Sequence, residues 1–289
     1  MKILVFGEVL WDVYPDKKCI GGAAFNFSAH SSLLGNDVSL LSAVGNDELG
    51  LDTFETVKKF GIDTAYLLNN DKSTGSVTVT LNDQKIPSYN VHTDTAYDNV
   101  ILDDTTLNKV KNEAFDCLYF GTLSQRSPVS RSSLIKLLEH CTFNNIFCDV
   151  NIRKDCYDLD SVKRCFENAT VIKISDEEEP ILRDLGIYAC DGDDCKDISN
   201  AISAKFKNLK IIIITLGSKG SFAYDAQNGK CYYADIVPCI PVSTVGAGDS
   251  FGAAFINEYL KSNDVKASLN EGAVLSSYVV SQSEAVPIK

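Results

Sequence analysis

The densest group of chemically useful residues is Ser243-Thr-Val-Gly-Ala-Gly-Asp-Ser-Phe-Gly-Ala-Ala-Phe. Small residues crowd a turn that opens an apolar helix. The backbone N–H groups of Gly246, Ala247 and Gly248 would point out of that helix N-terminus, and with the helix dipole they make an anion site. Asp249 falls in the first turn beside it. A carboxylate there can take a proton from a hydroxyl that attacks the bound anion. Donors for developing negative charge next to a base suit transfer of a phosphoryl group to an alcohol. An Asp in this position also serves as an ordinary helix cap, a use that needs no ligand.

Three other sites could complete such chemistry. Ile20-Gly21-Gly22-Ala23-Ala24-Phe25-Asn26 sets two glycines ahead of another helix. Glycine permits close approach of a ligand, and Asn26 offers donor and acceptor to a diol; a plain tight turn is the alternative. Asp12 follows the first strand, where ligands of open α/β sheets gather, and a carboxylate there can bind paired hydroxyls or cap a turn. Arg153 and Asn151 lie just past a later strand, where the Arg fork could hold a phosphate or a substrate oxygen, or form a surface salt bridge.

These residues need a scaffold, and the hydrophobic pattern supplies one. Near-continuous apolar runs at 3–6, 38–44, 117–120, 146–150, 171–174 and 211–215 read as strands covered on both faces. Helical patterns separate or follow them at 23–34, 49–60, 130–140, 161–168, 198–208, 246–260 and 265–281. This alternation predicts a mostly parallel sheet with helices on both faces. From Ala65 to Tyr97 the rhythm breaks. Val77, Val79 and Leu81 alternate with Thr78 and Thr80, then come Asn82-Asp83 and the run 86–91, which reads as an antiparallel hairpin. A single α/β domain over 1–289 is expected, with a small β lid inserted at roughly 65–97 and joined by part of 12–20. Which hydroxyl pattern the pocket reads depends on lid residues such as Tyr89, Asn90 and Tyr97, whose orientation the sequence does not fix. An exposed lid edge could pair with a second copy and make a homodimer.

Composition and missing motifs exclude other classes. The 289 residues carry a net charge of −12, which disfavours nucleic acid and anionic membranes as partners. The first residues, MKILVFGEVLWD, are broken by Gly7, Glu8 and Asp12 and are followed by no small-residue cleavage site. The longest aliphatic block, 211–214, is too short to span a bilayer. Ten cysteines without a CxxC pair fit free thiols in a reducing compartment, so a cytoplasmic protein is expected. No G-x-x-x-x-G-K-[ST], no G-x-G-x-x-G after the first strand and no H-E-x-x-H occurs.

Taken together, these residues resemble the PfkB (ribokinase-like) family of carbohydrate kinases, over Gly7 to about Pro287. Gly21-Gly22-x-x-x-Asn26 with Leu34-Gly35 is similar to the first family motif. Gly45-Asn46-Asp47-Glu48-Leu49-Gly50 is similar to its G-x-D-x-x-G element. Ser243 to Asp249 is similar to the D-T-x-G-A-G-D motif. Gly7-Glu8-x-Leu10-Trp11-Asp12, Phe120 to Arg126, Asp149 to Arg153 and Lys173 to Glu178 are closest to fructokinases.

The resemblance implies a ribokinase-like fold, ATP and Mg2+, and a sugar acceptor. It makes Asp249 the catalytic base and Gly246–Gly248 the anion hole. Asp12, Gly22, Asn26 and Arg153 would bind the sugar. Asn151, Lys173, Ser175, Thr215, Gly217 and Gly220 would serve ATP, and Glu178 would hold Mg2+ through water. Ser243 stands where the family usually has Asp, and Glu284-Ala285 where Gly-Ala is common, so activation by a monovalent cation is doubtful. The expected reaction is ATP with D-fructose to give fructose 6-phosphate. The rivals are a kinase for 2-keto-3-deoxygluconate, ribose or a nucleoside, and a non-catalytic sugar-binding protein.

Overall fold

The computed structural model describes residues 1–81 and 87–287. In chain order the strands and helices are β1 (Lys2–Phe6), β2 (Leu10–Val13), β3 (Lys18–Gly21), α1 (Ala23–Leu33), β4 (Asp37–Gly45), α2 (Glu48–Lys59), β5 (Leu67–Asn70), β6 (Gly75–Leu81), β7 (Pro87–Val91), α3 (Asp104–Glu113), β8 (Cys117–Phe120), α4 (Pro128–His140), β9 (Asn145–Asp149) and α5 (Leu159–Asn168). They continue as β10 (Val171–Ser175), α6 (Glu179–Asp184), α7 (Cys195–Lys205), β11 (Ile211–Thr215), β12 (Ser221–Asp225), β13 (Lys230–Ala234), α8 (Ala247–Ser262) and α9 (Val265–Val280).

Among the described residues, nine strands form a large sheet in the order β13-β12-β11-β10-β9-β8-β1-β4-β5. From β11 to β5 neighbouring strands run parallel, while β12 and β13 are antiparallel. Strand side chains alternate between faces, and each face is buried. Leu4, Phe6, Leu118, Phe120, Ile172 and Ile214 face the layer of α3 to α7. Ile3, Val5, Tyr119, Phe147, Ile211 and Ile213 face the layer of α1, α2, α8 and α9. The mostly parallel sheet with helices on both faces is thus present.

Four strands form the small second sheet, in the order β3-β2-β6-β7. Its underside is a satellite cluster of Leu10, Val77 and Tyr97. The region 65–97 divides between the two sheets. Leu67–Asn70 pairs in parallel with Ser42–Gly45 at the edge of the large sheet, because its short apolar start is buried there. The hairpin of β6 and β7 is antiparallel, with Val77 opposite Val91 and Thr78 opposite Asn90. The Asn82-Asp83 turn lies outside the described residues, as does the side chain of Tyr89. Tyr97 is buried beneath the small sheet, so it is a support rather than a surface residue.

Several contacts fasten the small sheet to the body. Trp11 Nε1 donates to Thr53 Oγ1 at 2.9 Å. Lys18 bridges to Glu48 and Asp52 of α2. The Asp47 carboxylate accepts from the amides of Gly50 and Thr74 and from Thr74 Oγ1, all within 2.8 Å. The G-x-D-x-x-G element therefore joins α2 to the root of β6, and these hydrogen bonds hold the Asp47 carboxyl below its ordinary pKa against the cost of burial.

Candidate active site

The carboxyl ends of β1, β9, β10 and β11 open onto the N-termini of α1 and α8, where a doubly wound sheet gathers ligands. Two glycines make the approach feasible. Gly22 precedes α1 with φ 101°, and a Cβ there would lie 2.7 Å from the Glu8 carbonyl oxygen. Gly246 precedes α8 in the left-handed region, φ 81°, and a Cβ would lie 2.7 Å from Ala285 Cβ. Only glycine meets both demands without strain.

Glycine cannot cap a helix with a side chain, so Glu8 does it for α1: its Oε1 accepts from the Ala23 amide at 2.9 Å. Eight successive residues of α1, Ala24 to Ser31, are buried. Asn26 is among them, and its Nδ2 donates to Asp249 Oδ2 at 2.8 Å. Asn26 Oδ1 is buried and has no partner among the described residues, an acceptor left for a ligand or a water.

Asp249 sits in the first turn of α8, 9% exposed. Burial raises its pKa from 3.8 to about 6; the Asn26 hydrogen bond opposes this, Asp149 adds to it, and Lys173 and Arg153 oppose it. That value leaves a carboxylate at neutral pH that is still basic enough to take a proton. Of the neighbouring amides, Ala247 turns back to the Thr244 carbonyl at 3.3 Å. The Gly246 and Gly248 N–H groups have no protein acceptor among the described residues. The turn therefore presents two free amides together with the helix end.

Beneath this turn lies a buried ion pair. Lys173 Nζ donates to both Asp149 oxygens at 2.9 Å, in register across β10 and β9. Burial opposes the ammonium charge of Lys173, but Asp149, Glu178 and Asp249 together raise its pKa. A Cβ on Gly248 would stand 3.3 Å from Nζ, so the ammonium lies against the turn that opens α8. Lys173 is 5% exposed and lies beneath the turn.

Glu178 ties two strand ends together. Its Oε1 accepts from the Ile152 amide at 2.6 Å, and its Oε2 accepts from the Ser175 amide and hydroxyl at 2.7 and 3.0 Å. Burial and the Asp149 charge raise its pKa, and Lys173 opposes them. Ser175 thus anchors Glu178, and Asn151, left-handed at φ 45°, turns the chain toward it. Three buried carboxylates, Asp149, Glu178 and Asp249, face one buried lysine, an excess of negative charge that suits a divalent cation. Among the described residues no cluster of three His, Cys, Asp or Glu side chains is arranged to ligate an ion directly. The donors fit Mg2+, which keeps its waters and leans on substrate phosphates.

The remaining residues line the approach. Asp12 on β2 faces Gly21, its Oδ2 3.5 Å from where a Cβ would stand. Burial raises the Asp12 pKa and the Arg153 charge opposes it. Arg153 is exposed and has no ion pair among the described residues, yet its charge lowers the pKa values of Glu8, Asp12 and Asp249. Thr215 ends β11 beside Ser175, and Gly217–Lys219 form a turn closed by Gly220, whose carbonyl accepts from Leu216. No hydrogen bond joins this turn to Asp249 among the described residues.

Glu8 and Asp149 were not singled out as site residues by sequence reasoning. A signal existed for Asp149: an acid and a base embedded in the apolar runs of β9 and β10 can be buried only as a pair. Glu8 gave less warning. Burial raises its pKa to about 7, its own and the Ala23 backbone amides oppose this, and the Asp249 charge adds to it.

Known proteins resemble this chain in sequence and fold. The pattern described as pfkB family carbohydrate kinase matches residues 3–288. The uncharacterized sugar kinase PH1459 of Pyrococcus horikoshii is 30% identical over 260 residues, covering 87% of this chain and 77% of the relative. Its structure in complex with ATP superposes with a TM-score of 0.82 at 25% identity, covering 99% of this chain and 94% of that one. The 5-dehydro-2-deoxygluconokinase of Geobacillus thermodenitrificans is 27% identical, covering 93% of this chain and 82% of the relative. Fructokinase-2 of Oryza sativa subsp. japonica is 26% identical, covering 88% and 79%. With a family match over almost its whole length, the chain belongs to the pfkB family of carbohydrate kinases.

Proposed function

We propose that this protein is an ATP-dependent sugar kinase that transfers the γ-phosphate to the primary hydroxyl of D-fructose. The observation that carries the reading is Asp249, a buried carboxylate held by Asn26 beside the free amides of Gly246 and Gly248. Asp249 accepts the hydroxyl proton as the oxygen attacks phosphorus. The amides and the end of α8 stabilise the charge that develops on the transferred group. Asn26 and Asp12 bind the sugar hydroxyls, and Gly22 allows the sugar to approach α1. Asn151, Ser175 and the Thr215–Gly220 turn border the nucleotide, with Lys173 compensating charge from below. Glu178 would hold Mg2+ through water, and the ion would supply positive charge against the phosphates. The small sheet covers the sugar and limits ATP hydrolysis by water.

Fructose is favoured by the likeness of Gly7–Asp12, Phe120–Arg126 and Asp149–Arg153 to fructokinases and by the rice relative. Arg153 supports a second reading. An exposed guanidinium without an ion pair could hold a carboxylate, so a keto sugar acid is the competing acceptor. ADP release measured across neutral sugars, sugar acids and nucleosides separates the two. Fastest turnover with fructose, little changed in Arg153→Ala, supports the first. Fastest turnover with a sugar acid, lost in Arg153→Ala, replaces it with the second. No ADP release with any acceptor overturns both.

A further inference from the structure

Helix α1 makes a second polar contact near the catalytic turn, one helical turn beyond Asn26. His30 is buried, and its Nε2 lies 2.8 Å from the Ala285 carbonyl oxygen. A carbonyl only accepts, so Nε2 is assigned the proton and donates. Ala285 in turn stands against Gly246: a Cβ on Gly246 would lie 2.8 Å from that same carbonyl oxygen. The segment after α9 is fixed on both sides of this contact. Val286 is buried in the core of the α1, α8 and α9 layer. Upstream, the Val242 and Ser243 amides donate to the Val280 carbonyl at 2.8 and 3.1 Å.

Helix α1 therefore reaches the first turn of α8 by two routes that start four residues apart. Asn26 goes directly to Asp249, and His30 goes through Ala285 to Gly246. We propose that His30 is a positioning residue for phosphoryl transfer: it holds the Ala285 carbonyl against Gly246 and so fixes the direction of the free amides at the mouth of α8. A left-handed glycine without a side chain has a soft backbone. The Ala285 wall restricts it, and His30 fastens the wall. The inference rests on the reading of the Asp249 turn as the site of transfer.

The test uses three variants of the full chain. Gln presents an amide nitrogen where His has Nε2, Asn presents one where His has Nδ1, and Leu presents none. With the best acceptor from the substrate panel, His30→Leu and His30→Asn should lower kcat about tenfold to a hundredfold, the cost of misplaced donors. KM for ATP and for the acceptor should stay within about twofold, since the substrate-binding side chains are untouched. His30→Gln should recover most of kcat. Hydrogen exchange at 243–250 in the ligand-free protein should rise in the Leu and Asn variants and stay near wild type in the Gln variant. Equal kcat in all variants, equal losses in Gln and Asn, or unchanged exchange in the Leu variant overturns the proposal. The exchange measurement needs no substrate. If wild type phosphorylates nothing, the function reading fails while the His30 contact is still tested on its own.

Discussion

Replacing Asp249 with Asn should inactivate the protein and stabilise it. In the folded chain burial lifts the Asp249 carboxyl from 3.8 to about 6. The sign follows from proton binding. Below pH 3.8 the carboxyl is protonated folded and unfolded, so it contributes no difference. Between 3.8 and 6 the unfolded chain ionises while the folded one keeps its proton, and stability falls as pH rises. Above 6 both are ionised, and the cost of the buried charge is complete. At about 1.4 kcal/mol per tenfold change in proton affinity, that cost is about 3 kcal/mol. Asn carries no charge and can still accept from Asn26 Nδ2. Asp249→Asn should therefore gain up to about 3 kcal/mol at pH 8 and nothing near pH 3.5, while kcat falls by about 10²–10⁴ through loss of the base. Urea unfolding at both pH values, with ADP release at pH 8, measures the two effects. A variant no more stable than wild type at pH 8 would refute the burial argument. One with near wild-type turnover would remove Asp249 from the role of base.

Other outcomes follow from the same geometry. The acid limb of kcat/KM should fall off near pH 6, where Asp249 takes up its proton; a limb near pH 4 would place the essential base elsewhere. Gly246→Ala should destabilise by at least about 1–2 kcal/mol, from the left-handed backbone alone, and should lower kcat, because its methyl group would meet Ala285. A thermal midpoint and turnover equal to wild type would count against it. Ser243 is half-buried, and its Oγ accepts from the Val245 amide at 3.3 Å. It adds no negative charge, so turnover should depend only weakly on K+; strong activation in an assay otherwise free of Na+ and K+ would contradict this.

Much of the scaffold could be read from periodicity. Near-continuous apolar runs such as those at 211–215 and 171–174 can be strands only if both faces are covered, which requires helices on each side. Helix α3 was not legible, because Leu107 and Val110 are its only buried residues in a polar segment. The hairpin of β12 and β13 was not legible either, since its exposed edge relaxes the pattern. The division of 65–97 between two sheets depends on which edge is nearest in space, and no local pattern encodes that.

For the site, residue types and short spacings determined the part that lies within one turn. Gly246, Gly248 and Asp249 lie within four consecutive residues, so a helix start was enough to foresee an amide cluster beside a carboxylate. The tertiary structure decided everything that crosses the chain. Asn26 meets Asp249 across 223 positions, and His30 meets Ala285 across 255. It also decided that Ala247 turns its amide inward and that Asp149 neutralises Lys173 beneath the turn. A sequence states which groups exist and how they are spaced along the backbone. Their protonation and their partners are set by burial and by charges on other strands, and those come into being only when the sheet closes.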